Sequence, residues 1–262
     1  MRARRGLVVA GVAASVIAVL SGCGNASADA GAAGSTGPPT GELTVFAAAS
    51  LQGAFDELAE AFESVHPEVD VRPIVYDGSN TLVAQLAEGA TADVFASADE
   101  STMAKAVDEG LVTDPQVFAE NTLVVAVPAG NPGGVGELAD LADEGLTVVL
   151  CAVQAPCGAA SQQLLENAGV AVTPASFEQN VTAVLTKVVA GEADAGLVYA
   201  TEVTGEPDIE SFVPEGAADV VNRYPIAALD RAMNAAAAAA FVAFVRGPEA
   251  QAVLAKHGFG AP

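Results

Sequence analysis

Three places along the chain combine a small or glycine-rich turn with the start of a predicted helix. The three turns are centred on Ser50, Ser79 and Cys157. The first N–H groups of a helix have no partner within the helix, and the helix dipole adds partial positive charge at the same end. A serine hydroxyl in such a turn can donate one more hydrogen bond. Each turn therefore predicts either an ordinary helix cap or a position that binds an anion.

The elements that must position these turns alternate between strand and helix patterns. Strands are predicted over residues 43–50, 69–76, 93–98, 123–127, 147–151, 195–199 and 225–229. Helices are predicted over residues 51–65, 81–88, 102–109, 135–143, 159–168, 182–190, 234–246 and 248–257. The alternation predicts an α/β protein with mainly parallel sheets.

The folded part, from about Gly41 to Pro262, is slightly long for one ordinary domain. We expect two lobes, with residues 41–122 plus 228–262 forming lobe 1 and residues 123–227 forming lobe 2. A cleft between two such lobes is a common ligand site. The three helix starts would then face that cleft.

The N-terminus predicts export. Arg2, Arg4 and Arg5 precede an uncharged, mostly apolar stretch over residues 7–20, which is shorter than the roughly 20 residues that span a bilayer. It is typical of a secretory signal peptide over residues 1–22. Cys23 ends a Leu-Ser-Gly-Cys sequence that resembles a bacterial lipobox, so we expect lipidation of Cys23. Residues 23–40, nearly all small or polar, would form a flexible tether. The expected location is the outer face of the cell membrane.

The charge excludes some partners. The chain has 10 basic and 33 acidic side chains, a net charge of −23 at pH 7. Removal of residues 1–22, which contain three arginines and no acid, leaves a net charge of −26. Such a protein is not expected to bind nucleic acid, whose phosphates need Lys and Arg. An anionic ligand would have to be held by neutral donors, with distant carboxylates screened beyond about 8 Å at physiological salt.

The remaining cysteines and the histidines leave little scope for a metal site. Cys151 and Cys157 are six positions apart, which in an oxidising compartment leaves open either a short-loop disulfide or two free thiols. His66 and His257 are far apart in the sequence, so no metal held directly by side chains and no cofactor is expected.

Four segments together resemble the molybdate-binding proteins of bacterial ABC importers. They are Phe46–Leu51 (FAAASL), Ser79–Leu82 (SNTL) followed by Ala92–Ser97 (ADVFAS), Pro156–Gly158 (PCG) and Gly196–Tyr199 (GLVY). The resemblance runs from about Glu42 to the C-terminus. It implies the two-lobed periplasmic-binding-protein fold of type II, a monomer, and a membrane permease as partner.

The resemblance also implies a set of ligand-binding residues. That family binds its oxyanion through two serines, two backbone amides and one tyrosine. The matched positions are Ser50, Ser79, Cys157, Val181 and Tyr199. Cys157 replaces the alanine that many members have, but the implied contact is a backbone N–H. The expected ligand is molybdate, with tungstate not distinguishable by sequence.

Other functions remain as alternatives. Sulfate has the same charge and shape as molybdate, so another tetrahedral oxyanion is the main alternative ligand. Ferric iron would need clustered Tyr, His and carboxylates, and an amino acid would need an Arg for its carboxylate. An enzyme is not expected, because the sequence has no Gly-x-Ser-x-Gly elbow and no Walker phosphate loop. An adhesion module would leave the matched positions without a role.

Overall fold

The computed structural model describes residues 38–262, in which strands and helices alternate. The predicted signal peptide, Cys23 and nearly all of the predicted tether lie outside the described residues. The strands are β1 (Gly41–Leu43), β2 (Val45–Ala48), β3 (Val69–Val71), β4 (Val75–Asp77), β5 (Val94–Ala96), β6 (Gln116–Asn121), β7 (Leu123–Pro128), β8 (Val148–Cys151), β9 (Ser176–Glu178), β10 (Ala195–Tyr199), β11 (Ile209–Phe212) and β12 (Asn222–Ala228). The α-helices are α1 (Gln52–Val65), α2 (Ser79–Ala87), α3 (Glu100–Asp108), α4 (Pro156–Ala168), α5 (Val181–Val189), α6 (Ala235–Val245) and α7 (Pro248–Lys256). Within this range no helix is both long and apolar enough to cross a bilayer.

The first five-stranded sheet has the order β4-β2-β5-β12-β6. Strand β2 is parallel to β4 and β5, whereas β12 is antiparallel to β5 and β6. Helix α1 presents Phe55 and Phe62 at helical spacing, and both rings pack against Phe241 of α6. Burying a side chain of this size stabilises the fold by about 1.5–3 kcal/mol. These rings therefore hold α1, and the turn before it, against the sheet.

The second five-stranded sheet has the order β11-β7-β10-β8-β9. Strand β10 is parallel to β8 and antiparallel to β7. Helices α4 and α5 pack on this sheet, and α1, α2, α3, α6 and α7 belong with the first sheet. We call the two groups of elements the first half and the second half.

The chain crosses between the halves twice. It leaves the first sheet at Asn121 and enters the second at Leu123, close to the predicted crossing. It returns between β11 and β12, so residues 222–228 belong to the first sheet. The predicted boundary at 227/228 differs from this strand arrangement. The prediction started this strand at Pro225, whereas the strand in the structure starts at Asn222, which pairs with Asn121 across the sheet.

Some predicted elements differ from the structure. The strand predicted over residues 69–76 is interrupted around Pro73, which has no N–H for a sheet. The helix predicted over residues 135–143 is only a 3₁₀ helix over Leu138–Ala142. Strands β6, β9 and β11 were not predicted. The sheets are mixed rather than mainly parallel, because β7 and β12, which flank the two crossings, run antiparallel to their neighbours.

Candidate functional site

One small cavity between the two halves is lined by all five residues that the resemblance implied. The free space among its lining residues, including the part open to solvent, is about 210 Å³. The lining residues are Ala48, Ala49, Ser50, Asp77, Gly78, Ser79, Ala98, Pro156, Cys157, Asn180, Val181 and Tyr199. The first seven belong to the first half and the last five to the second half. Residues from widely separated parts of the sequence are therefore brought together at one place.

Ser50 lies in a 3₁₀ helix, Ala49–Leu51, that joins β2 to α1. Strand β2 is buried along its whole length, so it carries the chain from the core directly to the cavity. Only 7% of Ser50 is exposed, and its Oγ lies 2.9 Å from the hydroxyl oxygen of Tyr224. The hydroxyl thus has a fixed neighbour on the side away from the cavity.

Ser79 is the first residue of α2 and is buried. Its Oγ accepts a hydrogen bond from the backbone N–H of Ala98 at 3.0 Å. A backbone N–H can only donate, so the Ser79 hydroxyl keeps its own hydrogen for another acceptor. Ser79 is therefore available as a donor to a ligand in the cavity.

Cys157 and Val181 lie in the first turns of α4 and α5. N–H groups at these positions have no acceptor within their own helix. The side chain of Asn180 caps α5 by accepting the N–H of Ala183 at 2.9 Å. The capping oxygen therefore does not bond the Val181 N–H. Both helices direct their positive ends at the cavity, where they favour negative charge.

A disulfide joins Cys151, at the end of β8, to Cys157. The sequence left open whether these cysteines are bonded or free. The bond closes the short segment between β8 and the first turn of α4. The backbone of Gly158 packs so closely on this segment that a Cβ there would overlap the backbone of Ala152. The position of the Cys157 N–H is therefore fixed by a covalent bond and by close backbone packing.

Tyr199 ends β10 with its side chain buried and its hydroxyl facing the cavity region. In the part of the chain that the structure describes, this hydroxyl has no hydrogen-bond partner. Burial raises the pKa of Tyr199 well above its ordinary value, with further contributions from Tyr224, Asp99 and Glu202. The phenol therefore stays neutral and can donate its hydrogen.

The cavity contains no Lys or Arg among its lining residues. Asp77 is the one carboxylate there, and its Oδ1 accepts the N–H of Gly78 at 2.7 Å and the side-chain N–H of Asn180 at 2.9 Å. The Asp77–Asn180 hydrogen bond connects the two halves. A second acid, Glu202, lies beside the cavity next to Thr182, and burial raises its pKa to about 7.

The two halves approach closely at Gly78. A Cβ on Gly78 would overlap the carbonyl oxygen of Gln179, which belongs to the second half. Glycine is the residue that allows this approach without moving either backbone. The contact closes the cavity on the side of α2.

Sequence reasoning missed several polar residues around the cavity. Asp77, Asn121, Asn180 and Tyr224 received no role. Asn180 could have been found from its position as a helix cap directly before Val181. The contact between Ser50 and Tyr224 spans 174 positions, so no local pattern could have indicated it.

A larger groove of about 1020 Å³ lies on the surface of the second half. Leu165, Val172 and Phe177 contribute to its mostly apolar lining. Several helix N-termini converge at the small cavity, whereas this groove is not such a point of convergence. Among residues 38–262 there is also no group of three or more His, Cys, Asp or Glu side chains that could hold a metal ion.

Comparison with known proteins places these features in a family. The model of the bacterial extracellular solute-binding protein family matches residues 43–260. The molybdate-binding protein ModA of Mycobacterium tuberculosis (strain ATCC 25618 / H37Rv) is 42% identical over 262 residues, with 98% of each chain covered. ModA of Escherichia coli (strain K12) is 30% identical over 235 residues, covering 84% of this chain and 89% of the relative. These relatives are named as binding proteins and not as enzymes.

Solved structures share the fold. The periplasmic molybdate-binding protein of Azotobacter vinelandii has a TM-score of 0.73 at 23% identity, covering 84% of this chain and 99% of that chain. The sulfate-binding protein SubI of Mycobacterium tuberculosis H37Rv has a TM-score of 0.69 at 20% identity, covering 83% and 86%. The predicted α/β class, with the two-lobed type II fold and its cleft, is confirmed. The chain belongs to the bacterial extracellular solute-binding proteins.

Proposed function

We propose that this protein captures molybdate, and tungstate with it, for delivery to an ABC importer. The observation that carries the proposal is the small cavity in which two hydroxyls, two helix-start amides and one buried phenol converge without a cationic side chain. Such neutral donors suit a compact dianion, because each oxygen can accept hydrogen bonds and no acceptor is required of the protein. The names of the relatives that cover nearly the whole chain support molybdate as the anion.

The proposed ligand contacts are five. Ser50, Ser79 and Tyr199 donate from hydroxyls, and Cys157 and Val181 donate from backbone N–H groups. The four helix starts add partial positive charge at the same point. Together they offset the negative field of a chain with a net charge of −23.

Sulfate is the second candidate ligand. It is favoured by the similarity to a sulfate-binding protein of Synechococcus elongatus (strain ATCC 33912 / PCC 7942 / FACHB-805), which is 26% identical over 292 residues and covers 95% of this chain. Sulfate differs from molybdate mainly in size, so the fit of the anion among the five donor groups would decide between them.

Isothermal titration of the purified protein tests the ligand. We expect heat from molybdate and tungstate and none from sulfate or phosphate, and we expect Ser79→Ala to lose most of the molybdate affinity. Ser64→Ala is the matched control, because Ser64 is an exposed serine whose hydroxyl bonds the Ala61 carbonyl. Heat from sulfate alone would leave the family unchanged and overturn molybdate.

The proposal includes the location of the protein. The family is extracellular by description, and the N-terminal sequence favours lipid attachment at Cys23, with a monomer that delivers its anion to a membrane permease. In cells that express the full chain, Cys23→Ser should move the protein from the membrane fraction to the soluble exported fraction. Retention of Cys23→Ser in the membrane would contradict the lipid anchor.

A further inference from the structure

Tyr224 lies behind the cavity and does not line it. It belongs to β12, is completely buried, and packs edge-on against Tyr199 with ring centroids 6.0 Å apart. Its hydroxyl oxygen lies 2.9 Å from Ser50 Oγ. Two hydroxyls at this distance form a hydrogen bond, but either one could be the donor. Which of them donates decides whether the Ser50 hydrogen is free to reach the cavity.

Asn121 is a second hydrogen-bond neighbour of the Tyr224 hydroxyl. Its Oδ1 accepts the backbone N–H of Thr122 at 3.0 Å, so its Nδ2 must point the other way. The Nδ2 group has two hydrogens and no acceptor capacity. One hydrogen is donated to Thr201 Oγ1 at 2.8 Å, and the other points to the Tyr224 hydroxyl oxygen at 3.4 Å.

The Tyr224 oxygen therefore accepts from Asn121, and its own hydrogen remains available for Ser50 Oγ. We propose that Asn121 and Tyr224 are positioning residues that orient the Ser50 hydroxyl as a donor to the bound oxyanion, an inference that rests on the proposed function. Asn121 is only 4% exposed, so no bulk water competes for its side-chain hydrogens. The hydrogen-bond chain thus runs from Asn121, at the crossing between the halves, through Tyr224 to the Ser50 hydroxyl.

The Ser79 hydroxyl is also oriented toward the cavity, but by a different donor. The N–H of Ala98 occupies the Ser79 oxygen, as Tyr224 occupies the Ser50 oxygen. Both serine hydrogens are then directed at the cavity, where they can be donated to the anion.

A double-mutant cycle tests the inference on the full chain. Tyr224→Phe removes the donor to Ser50 and keeps the buried ring. We expect molybdate affinity to fall about fivefold, in the range for loss of one hydrogen bond. In a Ser50→Ala background the same change should alter affinity less than about twofold, because its effect acts through the Ser50 hydroxyl. Tyr76→Phe is the control, since the Tyr76 hydroxyl bonds Asp56 outside the cavity.

Two further measurements separate positioning from general packing. Asn121→Ala should weaken molybdate binding by less than Tyr224→Phe, because its contact to Tyr224 is longer, and this loss should also vanish with Ser50→Ala. Thermal unfolding of each variant identifies any that do not fold.

The outcomes distinguish the inference from the proposed function. A wild-type protein that binds molybdate, with Tyr224→Phe unchanged or equally impaired in both backgrounds, overturns the positioning role alone. A wild-type protein that binds none of molybdate, tungstate, sulfate and phosphate overturns the proposed function and the inference together. If Tyr224→Phe does not fold, the Asn121→Ala cycle decides by the same criterion.

Discussion

The two halves contribute to the cavity by different chemical means. The first half supplies side-chain hydroxyls, Ser50 and Ser79, each with its oxygen held by a neighbouring group. The second half supplies backbone N–H groups at Cys157 and Val181, together with the phenol of Tyr199. The hydroxyl donors depend on which residue is present. The backbone donors depend on where the helix starts.

This difference shows how each half can be disrupted. A hydroxyl is removed by one substitution with little change in packing. A backbone N–H remains after any substitution except proline, so it is lost only when the supporting segment moves. The disulfide and the Asn180 cap support the two amides. Four changes, taken from the largest expected effect to the smallest, test the comparison.

Removal of both hydroxyls should have the largest effect. Each hydrogen bond to an anion contributes about 1.5–3 kcal/mol, so Ser50→Ala and Ser79→Ala should each weaken molybdate binding by about 10–100-fold. The double variant should bind too weakly to measure by titration, and it should unfold at a lower temperature than wild type because the buried Ala98 N–H and Tyr224 hydroxyl lose their partners. A double variant that retains wild-type affinity would show that the second half binds the anion alone.

Gly78→Ala should separate the two halves. The new Cβ would overlap the Gln179 carbonyl oxygen, so the donors of the two halves could no longer reach the same anion. We expect affinity to fall by about tenfold or more, with a loss of stability within the 1–3 kcal/mol typical of overpacking. Gly136→Ala is the control, because its Cβ would meet only the Asp140 carboxylate at 3.9 Å. Small-angle scattering with molybdate should show a more open shape for Gly78→Ala, and an unchanged affinity would contradict the close approach.

Loss of the disulfide tests the backbone donors. In the double variant Cys151→Ser/Cys157→Ser, the segment before α4 is held only by packing. The free energy of unfolding should fall by about 2 kcal/mol, as for a short closed loop. We expect affinity to fall about fivefold, because the Cys157 N–H is less well placed. A reducing agent should reproduce both losses in wild type and have no effect on the variant. A loss of stability without a loss of affinity would show that α4 alone fixes the amide.

Among the four changes, Glu202→Gln should have the smallest effect on molybdate affinity. Its effect should appear as a changed dependence on pH. The pKa of Glu202 is raised to about 7 in the folded protein, so between pH 4.5 and 7 the unfolded chain is ionised first. Stability should therefore fall as pH rises through this window and level off above it. Glu202→Gln removes that dependence.

The same carboxylate should affect binding. Once ionised above pH 7, Glu202 adds negative charge beside the cavity, and molybdate affinity should fall about two- to threefold. Titrations at pH 6 and pH 8 should differ for wild type and agree for Glu202→Gln. Equal pH dependence in the two proteins would assign the effect to another group.

The sequence predicted the fold where the apolar pattern was long or regular. The apolar face of α1 and the buried strands β7, β8 and β10 were predicted within a few residues. Strand β6 was missed because Gln116 and Glu120 interrupt the apolar pattern, and β9 was missed because it has three residues with an exposed Phe177. Short, partly exposed strands are defined by pairing with their neighbours, and that pairing is not encoded locally.

For the candidate site, local sequence indicated the helix starts but not their surroundings. Ser50, Ser79 and Cys157 were identified as possible anion positions from the turns themselves. Val181 and Tyr199 came only from the family resemblance. The contacts that orient the hydroxyls, from Tyr224 to Ser50 and from Ala98 to Ser79, join elements that meet only in the folded chain.

The burial of the donor groups has a consequence for rates. Ser79, Cys157, Val181 and Tyr199 are each at most 3% exposed, so the groups proposed to hold the anion are shielded from water while the halves stay together. Separation of the halves should then speed dissociation, and the residence time should depend on how often the crossing segments open. A permease that holds the two halves apart would speed release without competing for any hydrogen bond. Capture and release can thus be controlled by one motion, with the donor groups unchanged.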